Sequence, residues 1–186
     1  MTTDLLARDN ALVTRRHTTL ATAIGDLLAV AEDVDGHDAL IGLYFPGHWH
    51  PPAEGTIGHS VPSHGDALFT TLGGELAAYL SGSPTRFTTP VRTQGDPFSE
   101  QVWDRLVRIP YGRTTTYGEI AVALGNRNLA QRVGQAVGHN PVSILIPCHR
   151  VVGADGSLTG YAGGLDRKRR LLALEAPRPE DAGRLF

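Results

Sequence analysis

The sequence predicts an α+β protein in which a β-rich N-terminal part precedes a mainly helical C-terminal part. Strand-like apolar stretches occupy residues 18–45, and amphipathic helical patterns dominate from residue 98 onward. Proline and glycine separate the two regions near residues 92–97. We therefore expect an N-terminal α/β domain at residues 1–94 and a second domain at residues 95–186.

The N-terminal part begins with a polar extension or short helix up to about residue 16. Residues 18–30 and 39–45 are predicted strands, joined through a turn-rich acidic stretch at 32–38. Residues 46–62 carry paired prolines and three histidines and read as an irregular loop. A surface loop is favoured over a metal site, because the histidines match no metal-ligand spacing. Apolar residues at helical intervals predict a helix over residues 67–79.

The C-terminal part contains three predicted helices. The first spans residues 98–109, with Ser99 as a candidate N-cap. Thr116 can cap a helix at 117–124, and a turn at Gly125-Asn126 leads to a third helix at 129–138. Two short helices joined by a glycine turn form a helix-turn-helix, which can bind DNA or serve packing alone. The third helix is slim, with Arg132 its single charged side chain, so it either packs tightly on another helix or enters a DNA groove.

The chain has one cysteine, Cys148, which excludes an intramolecular disulfide and a thiolate metal cluster. It is either a buried inert side chain or a reactive nucleophile. Residues 144–147 read as a short buried strand that stops at Pro147, and His149 and Arg150 follow the cysteine. These neighbours favour the reactive interpretation and predict a thiolate.

Charge is distributed unevenly along the chain. The net charge is −2, but residues 101–175 carry ten basic and five acidic side chains, a net +5, which leaves −7 for the remainder. Such asymmetry fits a phosphate-facing domain beside a non-binding one, and also an ordinary solvated surface. The N-terminus lacks a signal-peptide pattern and no run is long enough to span a bilayer, so we expect a cytoplasmic protein without membrane contact.

Cys148 lies within a motif that has companions throughout the C-terminal half. The motif is Ile146-Pro147-Cys148-His149-Arg150-Val151, and its companions are Phe98-Ser99-Glu100-Gln101-Val102-Trp103, Ile109-Pro110-Tyr111-Gly112, Thr116-Tyr117-Gly118-Glu119-Ile120-Ala121, Gly138-His139-Asn140-Pro141 and Leu158-Thr159-Gly160-Tyr161-Ala162-Gly163-Gly164, followed by Lys168 and Leu171-Leu172-Ala173-Leu174-Glu175. Together they resemble the O6-alkylguanine-DNA alkyltransferases, which repair DNA by direct reversal. The N-terminal half resembles that family's ribonuclease-H-like domain more loosely.

The resemblance implies a single, irreversible alkyl transfer from DNA to the sulfur of Cys148. It assigns His149 the deprotonation of the thiol through a bridging water and Glu175 the orientation of His149. Asn140 becomes the hinge between the recognition helix and the active site. The stoichiometric transfer implies no metal and no organic cofactor.

The resemblance also implies that the partner is double-stranded DNA containing O6-alkylguanine, and O4-alkylthymine as well. The damaged base rotates out of the duplex, helped by Tyr117, while the recognition helix enters the minor groove. The implied pocket residues are Tyr117, Val151, Leu158, Tyr161, Ala162 and Gly163. The implied DNA contacts are Ser99, Tyr117, Gly118, Asn126, Ala130, Gln131, Arg132 and Gly134. The protein is expected to be monomeric in solution, with cooperative binding on DNA left open.

One position departs from the family pattern. Gln131 stands where the family usually has the arginine that replaces the rotated base, and glutamine is shorter and uncharged. We expect repair with weaker DNA affinity or altered base rotation, with Arg127 or Arg132 compensating in part.

Three other functions remain open at this stage. An alkyltransferase-like lesion sensor would bind alkylated DNA without efficient repair, although such proteins replace the cysteine. A cysteine hydrolase would also use a cysteine and a histidine, but it needs no helix-turn-helix. A transcription regulator would use the helix-turn-helix to bind DNA, and Cys148 would then have no role in the function.

Overall fold

A four-stranded sheet organises the N-terminal part in the computed structural model, which describes residues 13–83 and 86–176. Strands β1 (Val13–Leu20), β2 (Leu27–Val34) and β3 (His37–Tyr44) form an antiparallel meander. The short β4 (His59–Ser60) pairs parallel with β1, which gives the order β3-β2-β1-β4. Together with the helices that follow, this sheet confirms the α+β class.

The strand boundaries differ from the sequence-based prediction. Residues 18–30 do not form one strand, because a turn at 21–26 separates β1 from β2. Gly25 has φ = 110° there, and the hydroxyl of Thr22 donates to its carbonyl at 2.5 Å. Residues 13–16, predicted as part of the extension, belong to β1, and the rest of that extension lies outside the described residues.

The acidic stretch at 32–38 is mostly strand, which corrects its prediction as a turn. Only Asp35 and Gly36 connect β2 to β3, with φ of 54° and 81°. Two positive φ values in a two-residue connection match the twist of a hairpin. The density of acidic residues in this stretch concealed the strand ends.

Helix α1 (Ala67–Leu80) packs its apolar side on the sheet. Phe69, Leu72 and Leu76 are almost completely buried, as the helical spacing predicts. Asp66 caps the helix by accepting from the backbone N–H of Phe69.

The edge of β3 that faces away from β2 pairs with two later segments of the chain. Leu40 forms an isolated parallel bridge with Val91, just before the predicted domain boundary, and Leu43 forms one with Val142, from the C-terminal half. Backbone hydrogen bonds at both places satisfy groups that an edge strand would otherwise leave unpaired. The two halves are thereby joined through the main chain.

Four helices and a two-stranded parallel ladder make up the described C-terminal part. They are α2 (Pro97–Val107), α3 (Tyr117–Ala123), α4 (Ala130–Gly138), α5 (Leu165–Glu175), β5 (Thr115–Thr116) and β6 (Val151–Val152). Trp103 of α2 donates its indole N–H to the carbonyl of Ala136 in α4 at 2.8 Å. This buried bond fixes α4 against α2. None of the described helices is long and apolar enough to cross a membrane.

The helix caps confirm one prediction and correct another. Thr116 and Glu119 form a reciprocal capping box at the start of α3, as expected for Thr116. Ser99 is not the cap of α2, because Asp96 accepts the N–H groups of Phe98 and Ser99. Ser99 lies inside the helix, where its hydroxyl donates to the same carboxylate.

Residues 144–147 form a turn, which corrects the predicted buried strand. Ile144 has φ = 72°, a left-handed conformation rare for a β-branched residue. The N–H of Ile146 then bonds back to the carbonyl of Val142 at 3.0 Å. The chain therefore reverses before Cys148, and the apolar run is buried through this reversal.

Replacing Leu72 by alanine tests the packing of α1 on the sheet. Leu72 has no exposed surface, so Leu72→Ala leaves a cavity and should lower the free energy of unfolding by about 2–5 kcal/mol. Urea denaturation would measure this change. Thr71→Ala on the exposed side of the same helix is the matched control, with an expected change below about 0.5 kcal/mol. Equal effects of the two substitutions would contradict this packing.

Candidate active site

Cys148 begins a single 3-10 turn, Cys148–Arg150, and the side chain of Asn140 lies directly beside it. Asn140 donates from Nδ2 to the sulfur at 3.0 Å and to the carbonyl of Ile146 at 2.8 Å. Its Oδ1 accepts from the N–H of Val142 at 3.0 Å. Asn140 therefore fixes both the sulfur and the chain that leads to it.

The thiol of Cys148 is protonated at neutral pH. Its side chain is 5% exposed, and burial raises the pKa to about 11, although the bond from Asn140 and the charge of Lys168 oppose this. The predicted thiolate is therefore wrong for the free protein. The adjacent His149 and Arg150 both bond to a carboxylate, so neither stabilises the sulfur directly.

His149 is oriented by Glu175. Its Nε2 lies 2.9 Å from Oε1 of Glu175, and both side chains are buried. Because an ionised carboxylate only accepts hydrogen bonds, Nε2 carries the proton and Nδ1 keeps a lone pair. Nδ1 has no hydrogen-bond partner within the described part of the chain. Burial lowers the pKa of His149 more than Glu175 raises it, so the neutral ring can accept a proton at Nδ1.

Among the residues that the structure describes, four donate hydrogen bonds to the carboxylate of Glu175. Besides His149, Oε1 accepts from the hydroxyl of Tyr79 at 2.6 Å and from Nη2 of Arg150 at 2.8 Å. Oε2 accepts from Nε of Arg150 at 2.8 Å and from the N–H of Gly112 at 3.1 Å. Burial alone would raise the pKa of Glu175, but the bonds from His149, Arg150 and Tyr79 hold it well below its usual range.

The sequence did not reveal the contacts of three residues around the site. Arg150 was expected to favour a thiolate and bonds to Glu175 instead, and Lys168 occurred in a motif without a predicted role. Tyr79 occupied an apolar position of a helix in the other half of the chain, where periodicity indicated only burial. Nothing in the local sequence distinguishes such a tyrosine, because its function depends on a carboxylate 96 residues away.

A loop containing residues 158–163 approaches Cys148 through Tyr161, and both residues belong to the same buried core. The hydroxyl of Thr159 donates to that of Tyr117 at 2.9 Å, and Nζ of Lys168 donates to the carbonyls of Thr159 and Val151 at 2.9 and 2.6 Å. Tyr161 is buried, and its pKa rises well above the usual value through burial and the proximity of Cys148. Burial lowers the pKa of Lys168 to about 8.

The structure places the other predicted pocket residues around the same loop. Val151 and Ala162 are buried and Leu158 is half-buried. Gly163 lies against two aromatic rings: a Cβ atom there would approach Phe45 to 2.5 Å and Tyr161 to 2.9 Å. The loop thus depends on an aromatic residue from the N-terminal half.

Five of the eight predicted DNA-binding residues line two grooves. Tyr117, Gly118 and Ala130 line a largely apolar groove of about 740 Å³ between α3 and the start of α4. Ser99 and Arg132 line a separate groove of about 560 Å³ on the side of α2. These five predicted contacts therefore line two different grooves.

The remaining predicted contacts lie on or near α4. Gln131 is exposed, and Gly134 packs near the ring of Tyr117. Asn126 caps the short 3-10 turn before α4 by accepting from the N–H of Asn128 at 3.0 Å. The guanidinium of Arg132 lies over the ring of Phe98, 4.0 Å from its centroid. Arg132 is thus directed toward α2, away from the face of Gln131.

No group of three or more histidine, cysteine, aspartate or glutamate side chains suited to a metal ion occurs among residues 13–83 and 86–176. The loop at 46–62 is irregular apart from β4, as predicted. Within it, His50 stacks on His139, with ring centroids 3.7 Å apart.

Comparisons of the sequence with known proteins agree with this geometry. A family model described as the DNA-binding domain of 6-O-methylguanine DNA methyltransferase matches residues 97–177. A methylated-DNA–protein-cysteine methyltransferase of Mycolicibacterium paratuberculosis is 54% identical over 101 residues, which cover 54% of this chain and 61% of that protein. A protein of the same description from Mycobacterium bovis is 48% identical over 120 residues, or 64% and 72% of the two chains.

Comparison of structures extends the similarity to most of the chain. The crystal structure of Mycobacterium tuberculosis OGT in complex with DNA has a TM-score of 0.77 and 39% identity. It covers 86% of this chain and 92% of that one. A second crystal structure, of M. tuberculosis O6-methylguanine methyltransferase, covers 91% and 99% with a TM-score of 0.75 and 38% identity.

The raised pKa of Cys148 predicts a steep pH dependence of its alkylation by iodoacetamide. Below pH 11 the thiolate fraction grows about tenfold per pH unit, so the second-order rate constant should rise through pH 9 without a plateau. Asn140→Ala removes a hydrogen bond to the sulfur and should slow the reaction at pH 8 by about tenfold or more. Mass spectrometry of Cys148 would follow both rates.

Asn128→Ala, at an exposed position, provides the control for this substitution. It should leave the pH profile unchanged. A plateau near pH 7 in the unsubstituted protein would show that the thiol is already ionised and would contradict the burial argument.

Proposed function

The chain belongs to the family of methylated-DNA–protein-cysteine methyltransferases, and we propose that it repairs alkylated DNA by transferring one alkyl group from the O6 atom of guanine to Cys148. The observation that carries this proposal is the buried Asn140–Cys148 contact beside the His149–Glu175 pair. It combines a nucleophile, a proton acceptor and an orienting carboxylate in one network.

The transfer is a displacement at saturated carbon. The sulfur of Cys148 forms a bond to the alkyl carbon, the bond between that carbon and O6 breaks, and the departing electron pair stays on guanine. The thiol proton passes to Nδ1 of His149 through a water molecule. The departing guanine anion takes one proton from solvent and His149 later releases the thiol proton to solvent, so that protons and charge balance. Glu175 stabilises the positive charge on His149 while the proton resides there. O4-alkylthymine offers the same type of carbon–oxygen bond.

A thioether does not hydrolyse under mild conditions, so each molecule acts once. This stoichiometry separates the proposal from a cysteine hydrolase, in which water releases the acyl group. It also separates it from a lesion sensor, which would bind O6-alkylguanine without modifying itself.

We propose that α3 and α4 form the helix-turn-helix that binds duplex DNA, with α4 in the minor groove. The capping box of α3, the turn at Gly125 and the exposed Gln131 support this role. The net charge of +5 over residues 101–175 favours phosphate contacts on this half. The damaged base must leave the stack, which costs a few kcal/mol, and Tyr117 adjoins its path.

We further propose a ribonuclease-H-like N-terminal domain at residues 1–94 and a DNA-binding, alkyl-accepting domain at 95–186. The meander β1–β3 with β4 parallel to β1, covered by α1, supports the first assignment. The main-chain bridges along β3 and the Tyr79–Glu175 bond link the two domains. Both are expected to act as one monomeric unit on each lesion.

Incubation with a duplex oligonucleotide bearing O6-methylguanine tests the function directly. The intact mass should increase by about 14 Da, saturate at one methyl group per protein, and map to Cys148. Cys148→Ser serves as the control and should bind the same DNA without a mass change. Release of product beyond one equivalent would indicate a hydrolase, and binding by the unsubstituted protein without a mass change would indicate a sensor.

Gln131→Arg tests the contribution of the recognition helix. Arginine restores length and charge at the position that replaces the rotated base, so methyl transfer from duplex DNA should be accelerated by about tenfold. Free O6-benzylguanine needs no base rotation, and its reaction rate should stay unchanged. Single-turnover kinetics would measure both. An unchanged or slower duplex reaction would exclude Gln131 as a limit on repair.

A further inference from the structure

The turn His48–His50 brings an exposed tryptophan to the loop that contains residues 158–163. Trp49 is 59% exposed, yet the edge of its indole packs on the backbone of Gly160. A Cβ atom at position 160 would lie 2.8 Å from Cη2 and 3.1 Å from Cζ3 of this ring. The absence of a side chain at Gly160 therefore allows the indole to approach.

The rest of the turn is held in place through His48, which is buried and forms an edge contact with Tyr44. Nδ1 of His48 also accepts from the backbone N–H of His50 at 3.2 Å. These contacts give Trp49 a defined position although its ring faces solvent. The imidazole of His50 takes no part in them and stacks on His139 just beyond α4.

Gly160 lies between two residues that reach the active site. Thr159 bonds to Tyr117 and to Lys168, whose charge lowers the pKa of Cys148. Tyr161, on the other side, is buried in the same core cluster as Cys148. A shift of the backbone at Gly160 therefore moves both of its chain neighbours relative to the sulfur.

We propose that Trp49 is a specificity-determining residue that limits the size of the O6 substituent by holding the loop at Gly160 in place beside Cys148. This inference rests on the proposed alkyl transfer and assigns to the N-terminal half a part in substrate selection. Trp49 acts through the loop, so it is a positioning residue and exchanges no atoms with the substrate.

The physical argument concerns space. A methyl group needs little room beside the sulfur, whereas a benzyl group must displace part of the surrounding wall. Lys168 and Tyr117 hold Thr159 from the inner side, and Phe45 contacts the loop at Gly163. The outer side of Gly160 is contacted by the indole, so its removal permits outward movement of the loop.

Trp49→Ala should therefore favour large alkyl groups. The measured quantity is the ratio of single-turnover rate constants for O6-benzylguanine and O6-methylguanine placed in the same duplex. We expect this ratio to increase by about tenfold, as for the relief of a small steric conflict in a binding pocket, while methyl transfer changes little. A merely structural role would slow both reactions and leave the ratio constant.

His50→Ala is the matched control, because it alters the same turn without removing the contact with Gly160. It should leave the ratio unchanged. An equal rise in both variants would mean that loosening of the whole turn, and not the indole, governs selectivity, and would overturn the proposal.

Gly160→Ala completes a double-mutant cycle. In the unsubstituted protein the added methyl group meets the indole, so it must displace either the ring or the loop and should change the benzyl-to-methyl ratio. In the Trp49→Ala background the conflict is absent, and the same substitution should have no effect. Additive effects on the ratio would refute the coupling.

The cycle also separates this inference from the proposed function. If the unsubstituted protein fails to acquire a methyl group at Cys148, the proposed function is wrong. If it acquires the methyl group and neither the ratio nor the cycle responds to Trp49, only the inference about substrate size is wrong.

Discussion

The carboxylate of Glu175 is the point on which the two halves of the protein converge. A buried carboxylate is unfavourable by several kcal/mol unless donors surround it. Here Tyr79 donates from the first half, and His149, Arg150 and the backbone of Gly112 donate from the second. Loss of any one donor would leave this buried carboxylate short of a hydrogen bond, so the network constrains the packing of α1 and α5 together with the orientation of the His149 imidazole.

Asn140 plays the corresponding part on the other side of the sulfur. It holds Cys148, and through the carbonyl of Ile146 it also stabilises the reversal at Ile144. The left-handed conformation of Ile144 costs about 1–3 kcal/mol and persists only because neighbouring bonds enforce it. Such strain beside a reacting atom is typical of functional sites, where the geometry of the site takes precedence over local preference.

Local sequence predicted well those features that depend on local physics. Thr116 and Glu119 are three residues apart, so their capping box could be anticipated, and the apolar spacing of α1 defined its buried side. The turn at Gly25 was not predicted, because apolar residues continue on both sides of it. The reversal of the chain at Ile144 was not predicted for the same reason. An apolar run indicates that residues are buried, but it does not indicate whether the chain continues or turns.

The site was predictable only as far as its motif extended. Cys148 and His149 are adjacent, but the protonation state of the sulfur depends on the exclusion of water by the whole fold. Tyr79 and Trp49 come from the other half, and no spacing along the chain relates them to Cys148. Their contributions follow from tertiary contacts, which a single sequence does not encode in any local pattern.

The burial of the thiol has a consequence for the lifetime of the protein. An acceptor that can be used once is lost if an oxidant or a stray electrophile reaches it first, and both react with thiolates far faster than with thiols. With its pKa near 11, Cys148 keeps its proton in solution. The burial that makes the sulfur a weak nucleophile in the DNA-free protein therefore also keeps the thiol unreacted until a lesion is bound.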